Sequence, residues 1–357
     1  MKNPTVLNTI SGAKDKKDNF ISIAKAIGII LMVTGHAISQ NYAYRFIYMF
    51  HMPIFFFCSG YFFRVPVSLQ GVEHFTFKRI KGLYWPFLKW SFIFMLFHNC
   101  FCSWHLYQSS TAHYNVSDYI LHARSMLFTM TGQEILLNQF WFLKELLLAS
   151  VLVCMVTYAF RRFTFRYKDT ALMLILIILT AVSKCLEWDL PIIWNVSLLF
   201  LSTTFFFAGF IYRKIEKDFF YSYKCFSISL LIVLFVVWIW NDFLDMLWYD
   251  AINVLLYIPT AIVGVFMVLN LSKMIEKHSI KTLFYYIGKN TIYILIFHLI
   301  VFKFVNYLKI CIYGLPEDRI ADFMIIKDYN SYFWIVYVLL GIAIPLSFQA
   351  VRKKLKN

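Results

Sequence analysis

Apolar stretches about 20 residues long recur from one end of this chain to the other, and that recurrence limits its fold more than any other feature. Backbone groups have no water to bond within hydrocarbon, so such stretches cross a bilayer as helices that satisfy their own hydrogen bonds. Ten spans are expected, at 20–39, 46–63, 83–103, 141–160, 170–186, 192–212, 225–241, 250–272, 284–306 and 332–351. The chain is 61% hydrophobic and only 15% charged, against about 25% charge in soluble domains, and no stretch between the spans is long enough for a soluble domain. The expected fold is therefore an all-α integral membrane protein, a bundle of about ten transmembrane helices forming one domain over 1–357. It would have a cytoplasmic tail at 1–19 and two longer outer connections, 104–140 and 307–331. A short helix near 117–130 is expected in the first of these.

The net charge of +15 would suit a nucleic-acid partner if the basic residues formed one patch. Instead they alternate between successive connections. Lys2, Lys14, Lys16 and Lys17 are followed by Arg64, Lys78, Arg79 and Lys81, and the same side continues to Arg352, Lys353, Lys354 and Lys356. In all, 23 of the 34 Lys and Arg fall on that side. By the positive-inside rule it is cytoplasmic, and an even span count puts both termini there. The expected partner is the lipid bilayer of the inner, cytoplasmic membrane, and nucleic acid is not expected. The seven Cys show neither a disulfide framework nor metal-ligand spacing, and no metal is expected. The first span carries Lys25 and His36 and lacks a clear cleavage site, so it is read as retained.

Polar residues inside hydrocarbon are costly and mark function or pairing. Lys25 and His36 lie 11 residues apart in the first span, within about 20° of the same helical face and on the order of 16 Å apart along the axis. Arg45 and His51 stand at the outer end of the second span, close in sequence to His36. Ser59 and Gly60 end that span with small side chains that permit close helix approach. Lys144 and Glu145 follow Trp141 in the fourth span, and His298 sits deep in the ninth. Together they suggest a reaction centre in the outer half of the membrane, with Lys25 on its cytoplasmic approach. A hydroxyl acceptor needs a base that titrates near neutrality, which His provides. An oxyanion formed in acyl transfer needs a donor or cation, and Arg45, His51 or a backbone amide would serve. A multi-pass transporter or flippase of a glycan or small solute is the alternative, with Lys25, Lys144 and Glu145 as its polar sites.

Three segments resemble the membrane-bound acyltransferase family 3, particularly its fucose 4-O-acetylase and O-antigen acetylase-like branch. AKAIGIILMVTGHA at 24–37 is similar to that family's first-helix pattern of a basic residue followed by His, matched by Lys25 and His36. FHMPIFFFCSGYFF at 50–63 is similar to its second-helix signature, and YIGKNTIYILIFHLIVF at 286–302 to a late-helix pattern that includes Gly288, Thr291, Tyr293 and His298. Lys25 stands where many relatives have Arg, which keeps the charge but loses bidentate phosphate recognition. The resemblance implies an O-acetyltransferase that takes an acyl group from acetyl-CoA, a donor substrate and not a resident cofactor. The implied acceptor is a carbohydrate hydroxyl of a polysaccharide or other glycan of the cell envelope. It implies His36 as catalytic base with His51 and Arg45 beside it, and Lys25 and Ser59 at the donor. Trp141, Glu145, Tyr293 and His298 would line the substrate cavity.

Overall fold

The computed structural model describes residues 4–190, 194–217, 220–240, 242–328 and 331–355, with side chains from Asn19 onward except those of Trp194 and Ser331. Among these residues the regular secondary structure is almost wholly helical. A two-residue strand pair, Asp189–Leu190 against Trp194–Asn195, is the exception. The helices are α1 (Pro4–Ala37), α2 (Tyr42–Tyr48), α3 (His51–Tyr61), α4 (Leu69–Arg79), α5 (Trp85–Leu96), α6 (His98–Ser103), α7 (Val116–Thr129), α8 (Trp141–Ala159), α9 (Lys168–Cys185), α10 (Val196–Ile215), α11 (Tyr223–Ile239), α12 (Val254–Ile275), α13 (Lys281–Lys289), α14 (Thr291–Tyr313) and α15 (Trp334–Lys354). Side-chain caps set several starts. Asn195 accepts the Leu198 amide, Ser222 that of Cys225, and Asn115 with Asp118 forms a reciprocal box at α7, each satisfying amides that an open helix end leaves unpaired.

Six helical segments are long and apolar enough to cross a membrane: Asn19–Ala37, Ile135–Arg162, Val196–Ile215, Val254–Ile275, Thr291–Tyr313 and Trp334–Lys354. They overlap six of the ten expected spans. The other four take different forms. The stretch 46–63 breaks between α2 and α3, and 83–103 breaks between α5 and α6. The helix α9 has three charges, Lys168, Asp169 and Lys184, in its 18 residues, and α11 is 17 residues long. The ninth stretch also divides, because Asn290 ends α13 before α14 begins. Residues 192–193, 241 and 329–330, at the margins of expected spans and the second outer connection, lie outside the described residues.

The helix α10 is the centre of the bundle, packed by α3, α8 and α9, with 78% of its apolar window buried against 33% for α15. Its contact with α3 depends on two glycines. A Cβ on Gly60 would lie 1.7 Å from the Phe206 carbonyl oxygen, and one on Gly209 would lie 2.0 Å from that of Phe57, so the two backbones touch. Likewise Gly288 lets α13 lie against α1 at Ser22. Outward faces of α9 and α11 expose Ile178, Leu174, Leu231, Phe235 and Trp238. Such contiguous apolar faces suit lipid and not water, as in a multi-pass membrane protein.

The connection between α6 and α8 is ordered by a buried polar knot. His98 Nδ1 lies 2.8 Å from Glu134 Oε2, Tyr107 donates to the same carboxylate, and the Tyr114 ring stacks on His98 with centroids 3.4 Å apart. The connection after α14 is tied to that helix. Lys303 donates to the Ile320 and Asp322 carbonyls, and Lys309 to that of Ile326.

Candidate active site

Three helices each bring a histidine to one level of the bundle. His36 is in the last turn of α1, His51 opens α3, and His298 is two turns into α14. His298 is fully buried, and its Nδ1 lies 2.9 Å from the Ile294 carbonyl and 3.1 Å from that of Leu295. Carbonyls only accept, so this nitrogen carries the proton, and Nε2 of the neutral ring is an acceptor. His36 Nδ1 lies 3.0 Å from that Nε2 and must therefore donate. With its Nδ1 proton so committed, neutral His36 presents an unprotonated Nε2. His51 is fixed in the same way, its Nδ1 donating to the Ile47 carbonyl at 3.1 Å.

His36 and His51 both line a cavity of about 180 Å³ together with Trp141, Tyr44, Tyr48 and Asp245. Tyr48 stands edge-on to His51 with ring centroids 4.7 Å apart. It reaches that place because Gly35 has no side chain, for a Cβ there would come within 2.8 Å of the Tyr48 ring. Asp245 lies in the turn between α11 and α12, where its Oδ1 accepts the amides of Leu247 and Trp248. Burial pushes its carboxyl up to about 6, against those two hydrogen bonds. His36, Tyr44, Tyr48 and Met324 also border an opening of about 400 Å³ beside Arg319 and Asp322.

A second cavity, of about 320 Å³, lies along the same stripe of α1 and is lined by Lys25, Cys58, Ser59, Arg79, Phe142 and Thr291, among others. Among the described residues neither Lys25 nor Arg79 has a carboxylate in ion-pair contact. The Arg79 guanidinium lies over the Phe75 and Phe206 rings at 5.1 and 5.6 Å. Arg79 is brought there by a helical rod running from Leu69 to Leu96 through a π-helical turn at Ile80–Tyr84. Pro86 lacks the amide that would bond to Gly82, and the wide turn absorbs that loss.

The structure thus brings His36, His51 and Trp141 to one cavity and Lys25 and Ser59 to the other, while His298 sits behind His36 as its hydrogen-bond partner. Three expected site residues lie apart from both cavities. Arg45 donates to the Trp240 carbonyl at 3.2 Å, closing the end of α11. Glu145 is buried with Oε2 unpartnered among the described residues. Tyr293 receives a hydrogen bond from Arg352, joining α14 to α15. Sequence reading did not single out Asp245, which occupies an irregular turn, or Arg79, which looks like any other charge in its basic cluster.

A family model described as an acyltransferase domain matches residues 18–352, nearly the whole chain. No curated protein and no solved structure matches it.

Proposed function

The chain belongs to acyltransferase family 3, and from that premise we propose that it is an O-acyltransferase moving an acetyl group from acetyl-CoA to a sugar hydroxyl of a cell-surface or lipid-linked glycan. The observation that carries this reading is the His36–His298 contact. It leaves an unprotonated Nε2 on a histidine that lines a cavity with aromatic walls, and that cavity adjoins a second, cation-lined one. In the second cavity Lys25 and Arg79 would meet the donor's phosphates, as cations without carboxylate partners suit anions. In the first, Trp141, Tyr44 and Tyr48 offer rings and hydroxyls to a polyhydroxylated acceptor, and Asp245 a carboxylate.

The transfer is direct in this reading. The acceptor oxygen attacks the thioester carbonyl as its proton passes to His36 Nε2. The C–O bond forms, the C–S bond breaks, and the imidazolium returns the proton to the departing thiolate. His298 accepts from His36 Nδ1 throughout, holding the tautomer and easing the positive charge that develops. His51, whose Nδ1 proton goes to the Ile47 carbonyl, offers Nε2 as an acceptor for a hydroxyl of the incoming sugar, while Arg45 holds the outer edge as a positioning residue. The bundle lies in the cytoplasmic membrane with ten helical passes and both termini inside, which the alternating basic connections support.

The test is mass spectrometry of surface glycans from cells carrying wild type, a deletion, or His36→Ala. Loss of one O-acyl mass in both defective strains, with the His36→Ala protein still in the membrane, is expected and would identify acyl group and acceptor together. An unchanged O-acyl pattern overturns the reading.

A further inference from the structure

The two cavities meet at three side chains. Met32, Met52 and Leu295 line both of them, and each is nearly buried, at 2%, 8% and 6% exposure. Each also stands next to one of the three histidines. Met32 lies one turn before His36 on α1, Met52 adjoins His51 on α3, and Leu295 lies three residues before His298 on α14. The ring they form is wholly apolar, with Lys25, Ser59 and Arg79 on one side and His36, His51 and Asp245 on the other.

We propose that Met32, Met52 and Leu295 form a throat that admits the acyl end of the donor to His36, and that its width sets the acyl length transferred. The inference rests on the acyl-donor reading above. Lys25 and His36 are held on one helix, on the order of 16 Å apart, so a donor fixed by its phosphates presents its thioester at a constant height. That height is the throat. The acyl tail packs against the same three side chains whichever way it turns from the carbonyl. Methionine suits the place, because an unbranched side chain with three rotatable bonds yields to a passing group and then refills the gap. A closed ring also keeps water of the outer cavity from the thioester. Close packing gives the ring discriminating power, since one methylene in an apolar pocket changes selectivity by roughly 10- to 200-fold.

The experiment measures initial rates with acetyl-, propionyl-, butyryl- and hexanoyl-CoA on membranes carrying wild type, Met32→Ala or Met52→Ala. Met155→Ala, at an exposed position of α8, is the control. Ratios between donors within one preparation do not depend on how much protein folds. Wild type is expected to favour acetyl, and each throat variant to raise the butyryl-to-acetyl ratio by roughly tenfold or more, with the control unchanged. Active throat variants with the wild-type ratio would sink the throat and leave the acyltransferase reading standing. A wild type that transfers no acyl group from any of the four donors would overturn that reading, and the throat with it.

Discussion

A tautomer is fixed at His36 by atoms it does not touch. Ile294 and Leu295 carbonyls claim the His298 proton, His298 then claims that of His36, and Nε2 of His36 is left unprotonated. Replacing His298 by Ala should lower kcat by roughly 10²–10³-fold with little change in KM for the donor. His298→Gln, whose side-chain oxygen accepts from His36, should recover part of the rate. Equal loss in both variants, or a change confined to KM, would contradict this role. Asp245 makes a pH prediction. Its carboxyl titrates in the fold at about 6, above the ordinary value of about 4, so the protonated form favours the folded state. That stabilisation is complete below about 4 and is lost as pH rises through about 6. Melting of the purified protein between pH 4 and 7 should show this loss, and Asp245→Asn should remove it.

Contacts between helices depend on where side chains are missing. At the α3–α10 crossing, Gly60 and Gly209 let backbone meet backbone. Gly60→Ala or Gly209→Ala must push the helices apart, at a cost of about 1–3 kcal/mol. Because α3 carries His51, Met52 and Ser59, activity should fall along with thermal stability. Gly82, in the π-helical turn, has nothing within 4 Å of where its Cβ would be, so Gly82→Ala should leave the melting temperature unchanged or raise it. A ranking in which Gly82→Ala is the most damaging of the three would refute the packing argument. The same scale governs how an expected span divides into helices. An apolar run such as 46–63 shows its hydropathy plainly, and its break at Met49–Phe50 is marked only by Pro53 in the first turn of α3, which has no amide to bond the Met49 carbonyl.

Across the whole molecule, buried lysines hold a roof over the site. The connection after α14 passes beside His36 through Met324 and is held down by Lys303, by Lys309 and by the Ile326 amide, which donates to Asn306 and Tyr337. Lys309→Met would leave the Ile326 carbonyl unpaired, at about 1–3 kcal/mol. Hydrogen exchange across 315–328 should then quicken while α10 keeps its protection. Unchanged exchange there would mean that the roof is held by other contacts.

Reading the residues alone was enough for a helical membrane protein, because hydrocarbon imposes length and apolarity on every crossing segment and both are visible one residue at a time. It also drew attention to His36, His51, Lys25 and His298, since an ionisable group in such a segment stands out against its neighbours. Partnership between distant positions had no local sign. Whether His298 faces a substrate or backs His36 depends on a 3.0 Å approach across 262 residues. Whether Arg79 is a topology charge or a cavity wall depends on a helix carried round by a π turn. Asp245 lies in an irregular turn, and only the crossing of α1, α2 and the α11–α12 connection gives it a cavity to face. Chemical type and periodicity belong to the chain, whereas tautomer, cavity and throat arise from contacts that exist only once the helices have packed.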